Sequence, residues 1–107
     1  MSAQTARIVD YDHLKVQAAE DIGVMREVLQ LFVVHTEQLL GELGRAADEK
    51  TWRQLTHTLK GSARGVGAFG VADAAAAAEK RILDKGCIVE LNNAFAQARE
   101  FIASHPL

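Results

Sequence analysis

A chain of 107 residues, 49% of them hydrophobic, falls at the size of a single domain and has enough apolar side chains for one core, so 1–107 reads as one unit. Against 14 Asp and Glu there are 12 Lys and Arg, a net charge of −2, which argues against a cationic surface built to grip nucleic acid or anionic lipid. Cys87 is the single cysteine, which excludes an internal disulfide and suits a small core residue in a reducing compartment. The stretch from Met1 to Asp10 is polar and lacks the apolar run of a signal peptide, and no window approaches a membrane span, so a cytoplasmic protein is expected.

The single proline, Pro106, sits near the C-terminal end and leaves long helices uninterrupted, while strong helix formers dominate and no alternating strand pattern is evident. A short helix is predicted from about Asp10 to Ala19, capped by Asp10, with Tyr11, Leu14 and Ala18 on one face. Asp21 caps the next, from Ile22 to about Ala46. Its buried stripe is Met25, Val28, Leu29, Phe32, Thr36, Leu39, Leu40 and Leu43, at steps of mostly three and four. Asp48 caps a third running to about Val66, with Trp52, Leu55, Leu59, Ala63 and Val66 on one side; Gly65, Gly67 and Gly70 mark its exit. A fourth is predicted from Phe69 to Lys85, presenting Val71, Ala75, Ala78 and Ile82 and closed by Gly86 as a left-handed cap. The alanine run Ala74 to Ala78 lets neighbouring helices approach closely. The fifth, from Cys87 to about Ser104, turns Ile88, Leu91, Phe95, Ala98 and Ile102 inward. The expected fold is all-α: an antiparallel up-down-up-down four-helix bundle with the short N-terminal helix covering one end.

Advancing 100° per residue, His57 lies roughly 160° from the third helix's apolar stripe and faces solvent. Arg64 lies within about 20° of it, Gly61 within about 40°, and Arg53 and Lys60 within about 40° to 60°. Two features separate this histidine from an idle surface residue. Gly61 stands inside a helix, where glycine costs about 1 kcal/mol relative to alanine, and its missing side chain leaves room over the imidazole for another protein. Lys60 and Arg64, three and seven residues on, can reach a dianionic group carried by the ring and donate charge-assisted hydrogen bonds to it.

The run His57-Thr58-Leu59-Lys60-Gly61-Ser62-Ala63, followed by Gly67-Ala68, resembles the signature of histidine-containing phosphotransfer domains. The resemblance extends to Asp48, Leu55, the helix around Phe32 and the acidic Glu79 of the following helix, and so covers essentially the whole chain. It implies a helical bundle that works as a phosphorelay intermediate. Its exposed histidine accepts a phosphoryl group from a receiver-domain aspartate or a histidine kinase and passes it to a response-regulator receiver aspartate. Carried over by residue, His57 is the phosphoryl acceptor and Lys60 helps hold the phosphoryl group. Gly61 gives the receiver access, Arg64 fills a second basic position, and Ser62 is a small polar residue at the rim. Some members place a glutamine on the adjacent helix to hydrogen-bond the histidine; the aligned position here is Glu79, whose carboxylate can orient the ring but also repels an arriving phosphate.

The resemblance further implies that the receiver supplies the acidic pocket and bound Mg²⁺, and that this chain, a monomer, carries no cofactor or metal of its own. The glycines between Gly61 and Gly70 lack the order Gly-x-x-x-x-Gly-Lys-Ser/Thr and follow no strand, so no autonomous kinase activity is expected. A metal site built from His13, His35, His57 and His105 finds no support in their spacing. The alternative from another class is a non-catalytic helical adaptor that docks through an apolar patch. Docking residues are expected on the second and third helices beside the histidine strip, and Met1 favours a free-standing shuttle over a domain of a larger kinase.

Overall fold

A computed structural model describes residues 8–107; the first seven residues of the polar N-terminal stretch lie outside the described residues. Five helices follow in order: α1 (Tyr11–Gln17), α2 (Ile22–Arg45), α3 (Glu49–Val66), α4 (Phe69–Lys80) and α5 (Gly86–Ser104), with no strand among the described residues. The first three begin as their side chains dictate. Asp10 accepts from the backbone N–H of His13, Asp21 from that of Val24 and Asp48 from that of Thr51, each satisfying a helix-start donor that has no partner within the helix. Asp48 accepts from the Thr51 hydroxyl as well, and these bonds hold its carboxyl below the usual carboxylate range.

α2 packs against α3 and α5, α3 against α4, and α4 against α5, so the four long helices close into a ring around one core. That core takes Met25, Leu29, Phe32, Leu39, Leu40 and Leu43 from α2 and Trp52, Leu59, Ala63 and Val66 from α3. Val71, Ala72, Ala75 and Ala78 come from α4, and Cys87, Leu91, Phe95 and Ala98 from α5. Cys87 is a buried free thiol, and burial raises its pKa. The indole N–H of Trp52 donates to the Ala78 carbonyl at 2.8 Å, tying α3 to the end of α4. Leu55, expected inside, is only half-buried, and the neighbouring Thr56 is buried in its place. Thr56 is tolerated there because its hydroxyl donates back to the Trp52 carbonyl at 2.9 Å.

Gly67 ends α3 with φ +83°, and the N–H groups of Gly67 and Ala68 close onto the carbonyls of Arg64 and Ala63. A Cβ at Gly67 would lie 2.6 Å from the Asp10 carbonyl oxygen. The close approach exists because Asp10 donates its N–H to the Gly67 carbonyl at 2.9 Å, fastening the start of α1 to the α3–α4 corner.

Two helix ends differ from the periodicity. α1 stops at Gln17, two residues before Ala19, because Ala19 and Glu20 take left-handed φ values of 52° and 63°. α4 stops at Lys80 rather than Lys85, and Gly86 is the first residue of α5 instead of a left-handed cap; the left-handed residue is Leu83, with φ 58°. Ile82 continues the three-and-four spacing but packs on the core from a turn, as does Leu83. The turn is held by an Arg81–Asp84 ion pair at 2.6 Å, and Asp84 Oδ1 accepts the Gly86 N–H at 3.0 Å. It also aims the Lys85 ammonium at the C-terminus of α2, where Lys85 donates to the carbonyls of Leu43 and Ala46 at 2.9 and 2.6 Å.

Candidate functional site

The site stands on the outer face of α3. Because Trp52, Thr56, Leu59 and Ala63 are buried, helical geometry turns His57 the other way, and its side chain is 74% exposed. Gly61, one turn on, is exposed, and a Cβ built there meets nothing within 4 Å; the same holds at Gly65. The surface beside the imidazole is therefore open. Of the cations on this strip, Arg64 is exposed and has no ion-pair partner among the described residues, whereas Arg53 is engaged by Glu49 at 3.3 Å, one turn back.

Lys60 is placed differently from a cation reaching along α3. Its ammonium crosses to α4 and donates to Glu79 Oε1 at 2.6 Å, with the lysine and glutamate side chains only 19% and 26% exposed. The second oxygen of the same carboxylate, Oε2, lies 3.4 Å from His57 Nδ1. That is longer than a well-formed N–H···O bond, as donor–acceptor pairs in unliganded sites often are. Glu79 thus divides its two oxygens between Lys60 and His57. The hydrogen bond from Lys60 is the main cause that holds the Glu79 carboxyl below its ordinary value, against the desolvation that raises it; the charge of Lys60 and the contact with His57 add to the lowering. The charged group placed against the imidazole is accordingly this carboxylate, itself held by Lys60.

On the other side of Gly61 a groove of about 560 Å³ runs between α2 and α3. Its α3 wall includes Gly61, Ser62 and Gly65; its α2 wall includes Leu31, Val34, His35 and Gln38. Ser62 is half-buried at its rim, and Leu31 and Val34 remain 62% and 53% exposed. Sequence reasoning expected docking residues on this helix but did not single these out for that role. A signal for them exists: positions 31, 34, 35 and 38 form a second stripe at three- and four-residue steps beside the buried one, and two of its members, Leu31 and Val34, are apolar where solvent should favour polar residues. The four histidines of the sequence are spread over α1, α2, α3 and the end of α5, and no group of three or more His, Cys, Asp or Glu side chains among the described residues could hold a metal ion.

The arrangement can present one nucleophilic ring nitrogen, Nε2, to solvent, with Nδ1 toward a carboxylate and an unobstructed approach over glycine. Comparison with family models matches residues 27–102, from the first third of α2 through α5, to the Hpt domain. The chain belongs to the Hpt domain family. As an Hpt domain it has a phosphotransfer role in two-component signalling, in which Hpt domains work with histidine kinases and response regulators. The match covers well over half of the chain and contains every residue of the site just described, while α1 lies outside it. Comparison of this Hpt domain with curated proteins and with solved structures gives no match. Among its described residues no helix is long and apolar enough to cross a membrane.

Proposed function

We propose that His57 is the phosphoryl acceptor of a phosphorelay intermediate, taking the group from a receiver aspartate or a hybrid histidine kinase and delivering it to a response-regulator aspartate. The observation that carries this reading is the exposed imidazole of His57, backed by the Glu79–Lys60 pair on one side and open over Gly61 on the other. Nε2 attacks phosphorus in line while the acyl-phosphate oxygen departs, and the reverse displacement passes the group on. Such transfer depends on positioning and charge neutralisation. Arg64 is free to neutralise the incoming group, Lys60 becomes available by leaving Glu79, Ser62 borders the site, and Glu79 orients the ring through Nδ1. The receiver contributes its own acidic pocket and Mg²⁺; this chain needs no cofactor or metal of its own.

The receiver seats in the α2–α3 groove beside Gly61, where exposed Leu31 and Val34 supply apolar contact. The ring of packed helices supports an antiparallel up-down-up-down bundle, and the tie between Asp10 and Gly67 supports α1 as a cover over one end. We take 1–107 as one such domain, acting as a monomeric cytoplasmic phosphoprotein.

Incubation with a phosphorylated receiver tests the assignment. Label is expected on the wild-type chain and none on His57→Gln, with Arg64→Ala and Lys60→Ala each slowing transfer roughly tenfold through loss of a charge-assisted contact. Equal labelling of His57→Gln would overturn the assignment and leave the helical adaptor as the better reading.

A further inference from the structure

Glu79 touches both Lys60 and His57, one carboxylate oxygen each, at 2.6 and 3.4 Å. An ionised carboxylate can only accept hydrogen bonds, so facing it favours the tautomer with the proton on Nδ1 and the lone pair on Nε2. A neutral amide can do as much for orientation. What an anion adds is charge, and that charge acts on the phosphorylated ring.

When Nε2 takes a phosphoryl group from an acyl phosphate, the N–P bond forms, the P–O bond breaks, and the donor leaves as a carboxylate. If Nδ1 keeps its proton, the ring becomes an N-phosphoimidazolium, with a positive charge shared over the two nitrogens beside a dianionic phosphoryl group. Glu79 Oε2 faces that charge. In the onward step an oxygen of the acceptor attacks phosphorus, the N–P electron pair returns to Nε2, and the ring departs as neutral imidazole with its Nδ1 proton still in place. No proton is gained or lost by the ring in either direction. Were Nδ1 to lose its proton after loading, the leaving group would be an imidazolate, a far poorer one.

Lys60 couples to this. In the resting chain its ammonium neutralises Glu79; a phosphoryl group on Nε2 competes for the same ammonium. Each time Lys60 turns to the phosphoryl oxygens, the full charge of Glu79 is left to the Nδ1 proton.

We propose that Glu79 is a positioning residue that keeps the Nδ1 proton on phosphorylated His57 and so makes the chain a fast, short-lived phosphoryl donor. This deepens the reading of His57 as the acceptor and rests on it. The carboxylate that repels an arriving phosphate is, on this account, the group that speeds its departure.

The test uses the full chain with ¹⁵N-labelled histidine, as wild type, Glu79→Gln and Glu79→Asp, each loaded with phosphoramidate as a small-molecule phosphoryl donor and then freed of it. ³¹P spectra follow the loss of phosphohistidine, alone and with an Mg²⁺-loaded receiver, while ¹⁵N spectra report the protonation of the loaded ring and the backbone amide map checks the fold. In the wild type Nδ1 of the phosphorylated ring is expected to carry its proton at neutral pH. Glu79→Gln is expected to lengthen the phosphohistidine half-life and slow transfer about tenfold, because fewer loaded rings keep the Nδ1 proton that makes imidazole a good leaving group, and Glu79→Asp to restore part of both. A phosphorylated wild-type ring with bare Nδ1, or a folded Glu79→Gln chain whose half-life equals the wild type's, would overturn the inference while leaving His57 as the acceptor. A wild-type chain that takes no label on His57 overturns the acceptor reading, and the inference with it.

Discussion

Glycine at position 61 and glycine at position 67 lie six residues apart with opposite physical meanings. Gly67 is required by its backbone: φ is +83° and a Cβ would collide with the Asp10 carbonyl. Gly61 has helical φ and nothing within 4 Å of a Cβ, so the fold itself would accept alanine there. Alanine is the better helix former by about 1 kcal/mol, and that is the stability given up at position 61 in return for open space beside His57. Gly61→Ala is therefore expected to raise the unfolding free energy by up to about 1 kcal/mol in denaturant melts. Gly61→Gln is expected to keep at least the wild-type stability while slowing transfer from a phosphorylated receiver severalfold, since its side chain stands where the partner must approach. A Gly61→Gln chain that transfers at the wild-type rate would show that the space is not used. Sequence alone exposed Gly61 as an anomaly, because its cost is local, and the family resemblance pointed to Glu79 beside His57; the Lys60–Glu79 pair was hidden, because it joins α3 to α4 across 19 positions and depends on rotamers rather than on spacing.

At the scale of elements, the starts of α1, α2 and α3 were legible because a side chain three residues back answers an orphan N–H in each, and an aspartate announces that chemistry. The ends were less legible. α4 has no terminating glycine: Arg81 is its C-cap, and the left-handed turn falls on Leu83, which tolerates φ 58° because its side chain and that of Ile82 are gathered onto the core. Ile82 looked helical by spacing because it reaches the same core from a turn. The consequence of that early stop is Lys85, whose ammonium donates to Leu43, Gly44 and Ala46 carbonyls and lies 5.5 Å from the Trp52 ring centre. A cation at the last carbonyls of α2 satisfies groups that have no partner within the helix and complements the negative end of its dipole. Lys85→Met keeps most of the aliphatic stem and removes the donor. It is expected to destabilise the bundle by about 1–2 kcal/mol, read as a lower urea midpoint at unchanged slope, with phosphotransfer unaffected because Lys85 sits away from the α3 site.

For the whole molecule, the ring of four helices leaves α3 shared between two tasks. Its inner face joins the core through Trp52, Leu59 and Ala63, its outer face holds His57, and its flanks meet α2 at the groove and α4 at the Glu79–Lys60 pair. The chemistry and the docking surface are thus adjacent but separable, one toward α4 and the other toward α2. Separability can be measured. Leu31 and Val34 are largely exposed in the free chain, so a charge at either position costs the fold little. Covering their remaining apolar surface in a complex would contribute on the order of 1–2 kcal/mol each, and an aspartate there would have to be desolvated instead. Leu31→Asp and Val34→Asp are each expected to raise the receiver concentration for half-maximal transfer roughly tenfold or more. Unfolding midpoints, and the lifetime of phosphorylated His57 in the absence of receiver, are expected to stay at wild-type values, because neither residue is among those contacting His57, Lys60 or Glu79. If both substitutions left that concentration unchanged, the receiver would have to approach His57 from the α4 side, over Glu79.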